Sequence, residues 1–130
     1  MKLTIKHDDI EADLSYGQLA IGKENGYSPL QLLISSIAGC SAIVFRTILE
    51  KKRIPYDTFT IETEVGRSEA LSKPVESVHL HYKIKAQNVT EEQLDKALQL
   101  AVKNCTIVQS VKDSIKVTET IELIKGNIKT

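Results

Sequence analysis

The sequence lacks net charge: 17 Lys and Arg are offset by 17 Asp and Glu over 130 residues. A neutral chain has no long-range attraction to phosphate, and neither a basic block nor an RNP-like aromatic cluster is present, which argues against nucleic acid as a partner. The opening MKLTIKHDD lacks the uncharged apolar stretch of a secretory leader, because Lys6, His7, Asp8 and Asp9 interrupt it. A reducing, cytoplasmic setting is therefore expected, and there the two cysteines are either inert buried thiols or transiently oxidised ones. Between Pro29 and Arg46 lie sixteen residues without charge, LQLLISSIAGCSAIVF. A membrane span wants about 20 apolar residues, and Gln31, Ser35, Ser36, Gly39 and Ser41 interrupt this one. A buried helix is expected instead. Internal repeats, low-complexity segments and interdomain linkers are missing, so a single domain over residues 1–130 is expected.

What is present alternates between two periods. Leu3 and Ile5, then Ile10, Ala12 and Leu14, then Leu19 and Ile21 predict short strands, with Tyr16-Gly17 closing a hairpin and Lys23 to Ser28 forming a loop. Ser28 as N-cap and Pro29 at the first helical position predict a helix to about Lys52, stopped before Pro55. Apolar residues fall on nearly every side of it, which predicts that a second subunit helps to bury it. Two strands follow. Phe59, Ile61, Thr63 and Val65 share one face of the first, and Val78, Leu80, Tyr82, Ile84 and Ala86 share one face of the second. A polar loop, RSEALSKP, joins them. Thr90 with Gln93 spells a capping box for a second helix to about Asn104, and Val117, Ile121 and Leu123 point inward from a last strand. The fold class is α+β.

Leu33, Ile37, Cys40 and Val44 form one stripe on the first helix, and Leu94, Ala97, Leu98, Ala101, Val102 and Cys105 another on the second. Both thiols point where apolar faces would meet. Periodicity leaves open whether they are inert core residues or a redox pair, since a disulfide needs Cα atoms within roughly 7 Å.

The segment YSPLQLLISSIAGCSAIVFRTILEKKRIP, from Tyr27 to Pro55, resembles the central helix of the OsmC/Ohr family of osmotically inducible and organic-hydroperoxide-resistance proteins. That family has a Ser/Asn-Pro start and a cysteine eleven residues after the proline, as Pro29 and Cys40 stand here. Its second cysteine sits just beyond a later helix before a small apolar motif, and NCTIVQSV from Asn104 to Val111 is similar. The resemblance covers roughly Leu3 to Leu123. It implies a mostly antiparallel sheet around a long central helix, and an intertwined homodimer with active sites at the subunit interface. It also implies reduction of organic hydroperoxides in oxidative-stress defence, with Cys40 peroxidatic and Cys105 resolving. No metal or organic cofactor is required; a small dithiol, of lipoyl type in this family, would be the reductant.

The resemblance breaks at the groups that would activate the thiol. A free thiol is only a few per cent thiolate at pH 7, and lowering its pKa to ~6 takes about 3.4 kcal/mol. Active members use an arginine from the N-terminal hairpin region, held by an acidic residue just after the helix-start proline. This chain has no arginine before Arg46, and Leu30 and Gln31 stand where the acid would be. Arg46 is about 240° around the helix from Cys40. Arg67 would have to arrive from the other subunit, with a solvated loop residue as the plain alternative. Gln31 either keeps a hydrogen bond at the site or caps the helix, and Ser36 is a further supporting candidate. His79 and His81 share a strand face that is either solvated or metal-binding, without an evident third ligand. The competing function is a non-catalytic module whose apolar pocket holds a small hydrophobic ligand.

Overall fold

The computed structural model describes residues 1–125. Its elements run β1 (Lys2–Ile5), β2 (Ile10–Asp13), β3 (Gln18–Ile21), α1 (Pro29–Lys51), β4 (Thr58–Arg67), β5 (Val75–Ala86), α2 (Glu91–Asn104), α3 (Thr106–Val111) and β6 (Lys116–Lys125). Packing divides them into two units, one through Ser36 and one from Ile37 onward, with α1 running across the division.

In the first unit, β1, β2 and β3 form an antiparallel sheet in that order. The β2–β3 turn closes as Leu14 and Gly17 exchange backbone hydrogen bonds of 3.1 and 3.2 Å, where the Tyr16-Gly17 hairpin was expected. All four residues of β1 are exposed, so its alternation forms a strand without a buried face. The loop after β3 returns so tightly that Tyr27 bridges Ile21. A Cβ on Gly26 would stand 2.6 Å from the Ile21 carbonyl carbon, so only glycine fits there.

The Ser28 hydroxyl accepts from the Gln31 N–H at 3.2 Å and caps α1. At the other end Arg53 takes φ 58°, and the Ile54 N–H donates to the Leu49 carbonyl at 2.9 Å. This is a left-handed helix stop, followed at once by Pro55. The fully buried line on α1 is Ile37, Ser41, Phe45 and Leu49, whereas Leu33 is exposed and Cys40 and Val44 are half-buried. The expected stripe is thus rotated by about one position. The cause is Ser41, a polar residue that hydropathy assigns to the surface but whose hydroxyl has a buried partner.

In the second unit β4 and β5 pair antiparallel, and β6 lies parallel to β5, reached through α2 and α3. A parallel return needs such a helical crossover. The inward line of β5 is the expected one, with Val78, Leu80, Tyr82, Ile84 and Ala86 buried. Of the expected face of β4, Phe59 and Ile61 are covered, while Thr63 and Val65 are exposed. Four of the six Phe and Tyr residues, Phe45, Tyr56, Phe59 and Tyr82, gather with ring centroids 5.1–5.8 Å apart. The Thr90–Gln93 capping box forms as read, and α2 buries Leu94, Ala97, Leu98 and Ala101. α1 is long and apolar enough to cross a bilayer by length and composition alone. One line of it, Ile37, Ser41, Phe45 and Leu49, is wholly buried, and Phe45 packs on Phe59 and Tyr82.

Candidate active site

The chain between α2 and α3 is a single extended residue, Cys105 (φ −86°, ψ 112°), which ends one helix and begins the next. Its side chain is wholly buried, while Cys40 on α1 is half-buried. The two thiols interact. Both are free thiols, and a hydrogen bond to Cys40 favours the protonated form of Cys105. Burial, which disfavours the thiolate, is the larger influence. Together they push the Cys105 thiol up to about 11, against a partial pull downward from the Val108 and Ile107 amides at the start of α3.

Next to Cys40 in sequence, the wholly buried Ser41 hydroxyl is hydrogen-bonded to the Tyr82 hydroxyl of β5. Burial raises the phenol well above its ordinary value. The Ser41 bond opposes this, and the negative charges of Glu119, Cys105 and Cys40 add to it in that order. Tyr82 therefore feels three other titratable groups, Glu119, Cys105 and Cys40.

Glu119 was not expected here. It lies on β6 opposite Leu80, on the face that Val117, Ile121 and Leu123 share. Its Oε2 is buried without a hydrogen-bond partner, and desolvation lifts the carboxyl to about 7. The sequence carried a signal for it: strict alternation from Val117 to Leu123 puts position 119 inward, where a carboxylate breaks the apolar pattern. Ser41 carried none, because a serine in a helix normally faces water.

The other sequence candidates lie as follows. Gln31 is exposed in the first turn of α1, its amide held by Ser28, and Ser36 is exposed with its hydroxyl donating to the Leu33 carbonyl at 2.7 Å. Both belong to the first unit. Arg67 is exposed at the end of β4, where its Nε donates to the Lys73 carbonyl across the turn at 3.0 Å. His79 and His81 face outward on β5. His79 bonds Thr118 (2.6 Å) and Thr120 (3.0 Å), and His81 bonds Thr120 (2.6 Å) and Glu122 (3.2 Å). No group of three metal-ligating side chains occurs among the described residues. A groove of about 510 Å³ runs between Ala38, Gly39, Ala42 and Ile43 of α1 and Phe59 and Ile61 of β4, with Arg46 at its edge.

The sequence model of the OsmC-like protein family matches residues 22–120, more than half of the chain and both cysteines. The chain belongs to the OsmC-like family. One relative is Protein YhfA of Escherichia coli K12, 22% identical over 98 residues, which are 75% of this chain and 73% of YhfA. A crystal structure of a hypothetical protein from Aquifex aeolicus VF5 superposes with a TM-score of 0.87 at 26% identity, covering 97% of this chain and 96% of that one. An organic hydroperoxide resistance protein from Elizabethkingia anophelis has the same fold, with a TM-score of 0.75 at 16% identity over 95% and 94% of the two chains. The α+β architecture expected from the OsmC/Ohr resemblance is thus the observed one.

Proposed function

We propose that this OsmC-like chain is a two-cysteine thiol peroxidase that reduces organic hydroperoxides. The observation that carries the reading is the meeting of Cys40 and Cys105, from elements far apart in sequence, as free thiols in an apolar interior. Hydroperoxide resistance among proteins of the same fold agrees with it.

Exposure and protonation divide the roles. With its thiol near 11, Cys105 is a thiolate in only about one molecule in 10⁴ at pH 7, and it is wholly buried. Cys40 is the accessible sulfur and attacks first. Its thiolate takes the terminal peroxide oxygen, the O–O bond breaks, and the alkoxide leaves as an alcohol after gaining a proton. Cys105 then attacks the Cys40 sulfenic acid, forming the S–S bond and releasing water. A dithiol of lipoyl type restores both thiols by exchange, its own sulfurs closing to a disulfide. The apolar groove beside Gly39, the residue before Cys40, suits an organic hydroperoxide better than hydrogen peroxide.

The working unit in this reading is a homodimer in the reducing cytoplasm. Supporting this, α1 leaves Leu33 and Ile43 exposed in the single chain, at 37% and 58%. One equivalent of cumene hydroperoxide is expected to remove two daltons from the reduced protein as the disulfide closes, and Cys40→Ser to abolish turnover. Persistence of both free thiols would overturn the reading. A second reading, a binding module for a small hydrophobic ligand, draws on Leu30 and Gln31 standing where active relatives carry an acid. It predicts co-purified ligand whose affinity survives Cys40→Ser.

A further inference from the structure

Disulfide closure has a proton problem that the two cysteines do not solve. Cys105 must lose a proton in order to attack, and the hydroxide that leaves the Cys40 sulfenic acid must gain one. The interior around them is apolar: α2 turns Leu94, Ala97, Leu98 and Ala101 inward, and Val108 of α3 is buried. Bulk water is a poor intermediary there.

We propose that Glu119 carries this proton, taking it from Cys105 and returning it to the departing hydroxide by way of the Tyr82 hydroxyl. Glu119 thus acts on the sulfurs through another side chain, as a positioning residue. The inference rests on the peroxidase reading above. Three observations converge on it. Glu119 occupies an inward register position on β6 that its neighbours Val117 and Ile121 fill with apolar side chains. One of its oxygens is buried and has no partner, so the carboxyl has an unused acceptor in the core. Tyr82 feels Glu119, Cys105 and Cys40 together and is anchored through Ser41 to the helix turn that carries Cys40.

The titratable group beside Glu119 on the inner face is Tyr82, two residues along β5 from its register partner Leu80, and Cys105 of the α2–α3 joint and Cys40 of α1 act on Tyr82 as well. The charged and imidazole groups of the outer face, His79, His81 and Glu122, lie across the sheet. Burial holds the Glu119 carboxyl near neutrality in its titration, at about 7, so it can accept and donate at working pH. The step balances without further reagents. The Cys105 S–H and Cys40 S–O bonds break, the S–S bond forms, and proton and hydroxide leave as water.

The test follows disulfide closure after one equivalent of cumene hydroperoxide, by acid quench and mass analysis, from pH 5.5 to 8.5. In the unaltered protein the closure rate should inflect near pH 7. Glu119→Gln should lose the inflection and close about 10- to 100-fold more slowly, while hydroperoxide consumption in the first step is unchanged. Glu119→Asp should restore the inflection. An unchanged pH profile in Glu119→Gln overturns the proposal. If hydroperoxide does not react at all, the peroxidase reading fails instead, and closure driven by diamide still reads Glu119, since the diazene takes up the two hydrogens. Should the Gln variant not fold, infrared difference spectra of the unaltered protein with labelled glutamate decide. A carboxyl titration that moves between dithiol and disulfide forms supports the assignment, and one that does not move overturns it.

Discussion

The two faces of β5 and β6 both carry titratable side chains and treat them in opposite ways. On the outer face His79, His81, Thr118, Thr120 and Glu122 form a ladder in which each imidazole nitrogen has a hydroxyl or carboxylate partner. On the inner face Tyr82 has Ser41, but Glu119 keeps a buried oxygen with none. The difference is water. Outside, a lost partner is replaced by solvent at little cost. Inside, an unpaired polar atom bears its full desolvation penalty. The lesson is that register, more than residue type, decides whether a group is chemically poised. Glu119 and Glu122 are three residues apart on one strand and face different solvents.

The sharpest way to break this comparison is to remove equal bulk from each face. Leu80→Ala empties a fully buried position and is expected to cost about 2–5 kcal/mol in urea unfolding. His79→Ala, one residue earlier on the outer face, should stay within about 0.5–1 kcal/mol. Equal losses would mean that the outer face is also sealed. A smaller effect reads the polar pair at the core. Tyr82→Phe strands the buried Ser41 hydroxyl and should cost about 1–3 kcal/mol, and adding Ser41→Ala should recover much of it, because both partners are then apolar. A double variant no more stable than the single one would count against that hydrogen bond.

Glu119 ties stability to pH with a definite sign. Its carboxyl titrates at about 7 in the folded chain against 4.5 when unfolded. Below 4.5 it is protonated in both states and costs nothing. As pH rises toward and through 7 the folded protein must hold a charge that the unfolded chain leaves in water, so stability falls. The loss should be about 1–2 kcal/mol, less than the separation of the two values alone implies, because the residue as a whole is only half-buried. Glu119→Leu should remove that dependence and be the more stable protein at pH 8, as read from urea midpoints at pH 5 and pH 8. A Leu variant that keeps the slope assigns it to another group.

Much of the scaffold was legible in the residues because it is locally encoded. Ser28-Pro29, the Thr90–Gln93 box, Pro55 as a stop and the period-two run from Val78 to Ala86 each act over a few residues, and each is where the sequence placed it. The parallel seat of β6 was not legible, because pairing partners are chosen by the crossover and not by the strand. The site divided in the same way. Cys40 and Cys105 could be named from the resemblance and from helix spacing, but their meeting depends on the extended joint at Cys105, which no helical period reveals. Ser41 was hidden by its polarity and the true buried line ran one position away. Glu119 was visible in principle, as the inward member of Val117, Glu119, Ile121, and was passed over because a carboxylate is expected to face water.

The smallest expected effect is also the one that reports on what covers the outer face. Thr120 stands between the two imidazoles and bonds both, at 3.0 and 2.6 Å. Thr120→Val keeps the β-branched shape and removes the hydroxyl, so any change comes from the ladder and not from strand propensity. With the face in water, solvent takes over both imidazole nitrogens, and the loss should stay under about 0.5 kcal/mol. A partner subunit lying over the ladder would exclude that water. The same substitution would then leave two imidazole nitrogens unsatisfied and cost about 1–3 kcal/mol, with a midpoint that falls on dilution. Measuring Thr120→Val at two protein concentrations therefore asks whether both faces of this sheet are interior in the assembled protein or only the one that holds the thiols.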